Sequence, residues 1–185
     1  MAADQEIIDH IRKGNKGAFA DLVDKYKNYV FTIAIGVVNR REDAEEITQD
    51  VFVKVYQMLH TFQGNSSFKT WLYSITYRTS IDYTRKNKKH HYAEIDQALP
   101  LKEQVEANNG DKDHMRAVLS KLISSLKPED AAIITLFYLE ELSVKEISEI
   151  TGINPNNIKT KLFRLREHLR KTLENDWKVN LNDLL

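Results

Sequence analysis

No cysteine occurs in this chain of 185 residues, which removes disulfide stapling and thiolate metal ligation from its chemistry and fits a reducing compartment. Proline and glycine are scarce, at three and six residues, so few positions force the backbone out of a regular helix. Long apolar runs are missing as well. The longest uncharged one, NYVFTIAIGVVN, falls well short of the ~20 residues that a bilayer span needs. The opening residues, MAADQEIIDHIRKGN, carry acids and no apolar signal core, so a cytoplasmic protein without membrane insertion is expected. Asn65-Ser66-Ser67 then has no secretory route along which to be glycosylated.

An excess of either charge is also lacking, since 27 basic residues balance 27 acidic ones. The charges are nevertheless segregated. Arg78 to His91 holds Arg78, Arg85, Lys86, Lys88 and Lys89 against Asp82 alone, and Asn156 to Lys171 holds six Lys or Arg against Glu167. Glu42 to Asp50 carries five acids and no Lys or Arg, and Glu129 to Glu149 carries six acids against Lys145. Segregation of this kind calls for two sorts of partner surface, one rich in phosphate and one basic.

Apolar residues recur with helical spacing along almost the whole chain, so the expected fold class is all-α. A first helix over about Asp4 to Lys13 stops at Gly14. A second, from near Lys16 to near Asn39, turns Phe19, Leu22, Val23, Tyr26, Val30, Ile33 and Val37 inward. A third, Asp43 to Leu59, buries Ala44, Ile47, Val51, Val55 and Met58, and a fourth runs from Phe68 to about Lys86 after the loop TFQGNSS. The periodicity then weakens through NKKHHYAEIDQALPLKEQVEANNGDK, which contains Pro100 and an Asn-Asn-Gly break, as a flexible tether would. Two small helical domains are expected, 1–88 and 113–185, joined by a linker at 89–112. The second begins with Val118, Leu119, Leu122, Ile123 and Leu126 inward and continues its core through Ile133, Ile134, Phe137 and Tyr138.

Within that second domain a short amphipathic helix, Ser143 to Ile150, ends at Gly152. Asn154 then suits an N-cap and Pro155 the first helical position, where its missing N–H costs nothing. This is the spacing of a helix-turn-helix. In its second helix Ile158, Leu162, Leu165, Leu169 and Leu173 form one apolar stripe. Asn156, Asn157, Thr160, Arg164 and Lys171 lie opposite, flanked by Lys159 and Lys161. Amides and hydroxyls near a helix N-terminus reach base edges in a major groove, while Lys and Arg neutralise phosphates.

The stretch from Phe62 to His91 sets rings beside cations. Phe68, Leu72, Ile75, Thr79 and Tyr83 share the face a bundle would bury, which leaves Tyr73, Tyr77, Arg78 and Arg85 on an expected exposed face. Rings beside cations suit unpaired strands, whose bases stack on aromatic side chains at ~1 to 3 kcal/mol each. The small polar loop before the helix offers donors and acceptors on Asn65 and Ser66 to a base taken out of the stack.

DAEEITQDVFVKVYQ, then FQGNSSFKTWLYSI, a tether, and LSVKEISEITGINPNNIKTKLFRLREHLRK resemble, in that order, a bacterial sigma factor of the sigma-70 family in its extracytoplasmic-function group. The resemblance covers about Ala18 to Lys89 and about Asp113 to Leu173. It implies a promoter-specificity factor without catalytic activity, cofactor or metal, whose partners are core RNA polymerase (the beta-prime clamp helices and the beta subunit), promoter DNA and an anti-sigma factor. It implies that Glu45, Glu46, Gln49 and Asp50 grip the clamp helices. It implies that Asn65, Ser66, Lys69, Trp71, Tyr77, Arg78, Arg85 and Lys86 read the minus-ten element as melted single strand. Asn156, Asn157, Lys159, Thr160, Lys161 and Arg164 match the helix that reads the minus-thirty-five element as duplex.

Two positions depart from that pattern. Housekeeping members carry two adjacent Trp where this chain has Trp71 and Leu72, which implies weaker melting and stricter promoter demands. Arg78 stands where the group often has Asn, so the minus-ten base preference does not transfer. A free-standing helix-turn-helix regulator would need a ligand pocket or a dimer helix, and the conspicuous non-core residues of the first half are acids and a ring-cation face instead. A metalloenzyme finds no ligand set, because His90 and His91 are adjacent and do not share a helix face.

Overall fold

A computed structural model describes residues 2–87 and 122–176, with side chains for 4–87 and 122–172. The expected linker at 89–112, the expected start of the second domain with Val118 and Leu119, the pair His90-His91, and the Leu173 side chain lie outside the described residues. Seven α-helices are described: α1 (Ala2–Arg12), α2 (Ala18–Val38), α3 (Arg41–Met58), α4 (Phe68–Lys86), α5 (Pro128–Ile134), α6 (Val144–Thr151) and α7 (Pro155–Asp176). No strand occurs among the described residues.

The first half is a bundle of α2, α3 and α4 with α1 against α2. Val30, Ile33, Ala34, Ile47, Val51 and Val55 are fully buried at its centre, with Phe52, which the third helix adds beyond its expected stripe. Met58, expected inward, is 42% exposed. It lies in the last turn of α3, where the chain tightens into a 3₁₀ turn, Leu59–Thr61, and Leu59 takes the inward place instead. Helix α2 ends where Asn39 adopts the left-handed conformation and donates its N–H to Ile35. Helix α4 starts where the Ser67 hydroxyl accepts the Thr70 N–H at 3.0 Å, an N-cap that satisfies one of the free donors of the first turn.

In the second half Pro128 opens α5, whose residues Ala131 to Ile134 are all buried. The chain continues as a π-helical segment, Thr135–Leu139. Tyr138, expected in the core, is 46% exposed, because the wider π turn carries it out of the face occupied by Thr135 and Leu136. Helix α6 starts in a capping box, with Ser143 and Glu146 bonded reciprocally, a signal present in Ser-Val-Lys-Glu. It ends at Gly152, whose φ of +74° makes the left-handed turn into α7. The Asn154 side chain accepts the Asn156 N–H at 2.9 Å. Ile147, Ile150, Ile158, Leu162 and Leu165 lock α6 and α7 together.

The two halves share one apolar core. Helix α6 packs against α4, and α5 and the π-helical segment pack against α2. The approach of the π segment is close: a Cβ on Gly36 would stand 2.4 Å from the Thr135 Oγ1 and 3.2 Å from its Cβ.

Candidate polymerase and nucleic-acid interfaces

Three of the sequence-predicted sets fall on three separate surfaces. The first is the outer side of α3, where Glu45, Glu46, Gln49 and Asp50 are all exposed. Arg41 pairs with Glu45 at 2.8 Å, and the Tyr83 hydroxyl donates to Asp43 at 2.9 Å and lies 3.3 Å from Glu46. Burial, then the Asp43 bond and the nearby acids, push the Tyr83 phenol up to about 12. Tyr83 is therefore a neutral tie that holds α3 to α4 beneath the acids. Beside Gln49 runs an apolar groove of about 480 Å³, lined by Phe19, Val23, Phe52, Val53 and Tyr56. The acids thus adjoin an exposed apolar strip.

The second surface is the outer face of α7. Asn156, Asn157, Lys159, Thr160 and Arg164 are exposed, while Ile158 and Leu162 point to the core. Lys161 is turned back and pairs with Asp130 at 2.5 Å. The Thr160 hydroxyl donates to the Asn156 carbonyl at 2.9 Å, which leaves its lone pairs outward. Phe163, 65% exposed, stands among these residues. Its place off the Ile158, Leu162, Leu165 stripe was the signal available in the sequence, and an exposed ring there offers a thymine methyl an apolar partner.

The third surface, on α4, differs from expectation. Tyr73 and Tyr77 are buried, at 0% and 8% exposure, because the second half covers the face expected to be open. The Tyr73 hydroxyl donates to Glu140 at 2.6 Å, and Glu140 is itself buried. The Lys69 ammonium lies 3.9 Å from the same carboxylate and over the rings of Tyr29 and Tyr73, 5.4 and 5.3 Å from their centroids. Arg85 stays exposed, 3.8 Å from Glu129 and equally 3.8 Å from Asp82 of its own helix. Burial, followed by the bond to Glu140, raises the Tyr73 phenol far above its usual range, and burial also raises Tyr77. Asn65, Arg78 and Lys86 stay exposed, and Ser66 is half-buried. Trp71 is half-buried against Phe62 and Phe68, 5.4 and 5.7 Å between centroids. At the base of the loop, the Arg12 guanidinium donates to the Phe62 carbonyl.

Glu140 is the residue that sequence reasoning missed. It lies 67 positions from Tyr73, and no local pattern announces the pairing. Its surroundings carry strain: Glu141 has φ +53°, a conformation that costs about 1–3 kcal/mol for a residue with a side chain. The Thr135 hydroxyl is buried with no hydrogen-bond partner, at a cost of about 1–3 kcal/mol. Among the described residues no group of three or more His, Cys, Asp or Glu could hold a metal ion, and no helix is long and apolar enough to cross a membrane.

Two family models match the chain, Sigma-70 region 2 over residues 22–90 and Sigma-70, region 4 over residues 116–169. The chain belongs to the sigma-70 family of RNA polymerase sigma factors. Within that family it stands in the extracytoplasmic-function (ECF) group. It is 32% identical over 176 residues to the ECF RNA polymerase sigma factor SigW of Bacillus subtilis, covering 90% of this chain and 94% of that protein. It is 29% identical over 182 residues to the ECF RNA polymerase sigma-E factor of Escherichia coli K12, covering 89% and 91%. In fold it is similar to CnrH, solved in complex with the cytosolic domain of CnrY, with a TM-score of 0.70 at 20% identity over 94% of this chain and 99% of that one. It is also similar in fold to the sigma factor RpoE of Bartonella quintana, solved with the anti-sigma factor NepR, with a TM-score of 0.65 at 19% identity over 85% and 98%.

Proposed function

We infer that this chain binds core RNA polymerase and directs it to promoters from the cytoplasm, catalysing nothing itself. The observation that carries the reading is the coexistence of two outward faces of opposite character. One is acidic, with Glu45, Glu46, Gln49 and Asp50 on α3. The other is basic and amide-bearing, with Asn156, Asn157, Lys159, Thr160 and Arg164 on α7. A nucleic-acid binder has no use for the first alone, because it repels phosphate. A basic protein surface does, and the beta-prime clamp helices supply one. The apolar groove beside Gln49 adds area that excludes water around the charged contacts.

Helix α7 enters the major groove of the minus-thirty-five element, its amides and Thr160 toward base edges and Lys159 and Arg164 on phosphates. Lys161 joins them on release from Asp130. The loop with Asn65 and Ser66 takes a flipped base of the minus-ten element. Lys69, Trp71, Tyr77, Arg78, Arg85 and Lys86 follow the unpaired strand, with rings under bases and cations on phosphates. Because Tyr77 is covered and Lys69 lies against the buried Glu140, the halves must part for this to happen. An anti-sigma factor is the third partner, acting before the polymerase does.

The test replaces Gln49 and Asp50 together by Ala, both being exposed residues of α3. The double variant should keep its helical circular dichroism and thermal midpoint yet fail to co-elute with core polymerase. Holoenzyme assembly at the unaltered level would overturn the assignment.

A further inference from the structure

Helix α1 lies outside both matched family models, the first of which begins at residue 22. It is nevertheless fastened to the first half by specific contacts. Ile8 is fully buried, and Asp4 pairs with Lys25 at 2.5 Å and accepts the Tyr26 hydroxyl at 3.0 Å. At the opposite end of α1 the Arg12 guanidinium crosses to the base of the polar loop, where it donates to the Phe62 carbonyl and lies 3.5 Å from the Leu59 carbonyl oxygen. Carbonyls at the end of a helical segment run short of donors from their own backbone, and a guanidinium supplies donors together with a charge.

The loop is held at both ends and open between them. The Phe62 ring packs against Phe68 and Trp71, 5.6 and 5.4 Å between centroids, and Ser67 caps α4 through the Thr70 N–H. Between these anchors Gly64 has φ +76°, Asn65 is exposed and Ser66 is half-buried. A packed ring fixes where Phe62 sits but not which way its carbonyl points. That oxygen belongs to the rigid peptide plane joining Phe62 to Gln63, so turning the plane swings everything from Gln63 to Ser66. Arg12 holds the plane by its oxygen. The Arg12 side chain is itself 38% exposed, so its removal takes little from the core.

We propose that Arg12 is a positioning residue for base selection: by fixing the peptide plane at which the loop leaves the bundle, it sets how Asn65 and Ser66 meet a flipped base. This rests on the assignment of that loop to the flipped base. Helix α1 thereby contributes to promoter choice without touching DNA.

The experiment loads the full chain onto core RNA polymerase and equilibrates the holoenzyme with a pool of single-stranded DNA randomised over the span of a minus-ten element, then sequences the bound fraction. The position read by the loop is the one whose base preference disappears in Asn65→Ala with Ser66→Ala. Arg12→Ala should lower the preference at that position roughly fivefold, as the loss of one hydrogen bond's worth of discrimination gives, while preference elsewhere and co-elution with core polymerase stay as in the parent. Arg12→Lys keeps the charge and a donor, and should recover part of the loss. Lys13→Ala removes the same charge one residue on, and should match the parent at every position. Unchanged preference at the loop position in Arg12→Ala overturns the proposal. So does a uniform fall at all positions, which marks a purely structural role, or an equal loss in Lys13→Ala. A parent without any preference that depends on Asn65 and Ser66 overturns the assignment of the loop, and the proposal with it.

Discussion

Helix α7 and the face of α4 carry similar chemistry, amides or hydroxyls beside cations and rings, but one stands open and the other is shut. On α7 the apolar stripe of Ile158, Leu162 and Leu165 faces α6 and the polar side is exposed. On α4 both sides are buried: Leu72 and Phe68 against the bundle, Tyr73 and Tyr77 against the second half. A face with one buried stripe is a finished surface. The second stripe of α4 is closed by α6 within the shared apolar core and by the buried Glu140 carboxylate, so its cover is part apolar and part polar. The difference lies in what is buried: on the shut side Glu140 is held by the Tyr73 hydroxyl and the Lys69 ammonium, and the nearby Thr135 hydroxyl has no partner.

The comparison breaks most severely at its open side. Leu162→Ala removes a side chain that is 1% exposed and should cost about 2–5 kcal/mol. A lowered thermal midpoint and loss of duplex binding would register it, with the acidic face of α3 still competent for polymerase.

At the shut side, Gly36→Ala should have effects of opposite sign. The methyl favours helix α2 by about 1 kcal/mol, yet it collides with Thr135, and turning the Thr side chain brings its Cγ2, already at 3.3 Å, into the same space. The halves should part, so small-angle scattering should show a larger radius of gyration, and Thr135→Ala in the same chain should restore it.

Smallest is Ser143→Ala, which removes the cap of α6 at about 1 kcal/mol. Bonds from the Ser143 side chain and backbone hold the Glu146 carboxyl below its ordinary value of 4.5. That contribution is full above pH 4.5 and is lost as pH falls through the lower folded value. The variant should therefore lose its ~1 kcal/mol at neutral pH and differ less from the parent in acid, while the Ser143 N–H bond to Glu146 keeps part of the pH dependence.

The order of helices, the polar loop and the helix-turn-helix were legible because their signals are local. Gly152, Asn154 and Pro155 each dictate a backbone conformation within three residues, and α7 begins at Pro155. The acids of α3 were legible because apolar neighbours at helical spacing force them outward. Tyr73 was misjudged for a related reason. Helical periodicity identifies the face turned to the nearest helices, and Tyr73 lies off it, so only a long-range contact could have reported its burial. Met58 and Tyr138 failed where regular α geometry ends, at a 3₁₀ turn and in a π segment.

The π segment has one more consequence. Each residue advances an α-helix by about 100° of rotation, so a helix that accommodates one residue too many turns everything beyond it through that angle. Glu140 closes Thr135–Leu139 by donating its N–H to Thr135 five positions back, and this phase lag sets the direction in which its side chain leaves the axis. The aim of the carboxylate is therefore a property of timing along the helix. Two chains with every contact residue in common, differing by one position in the count between Pro128 and Ser143, would point the same acid at different neighbours.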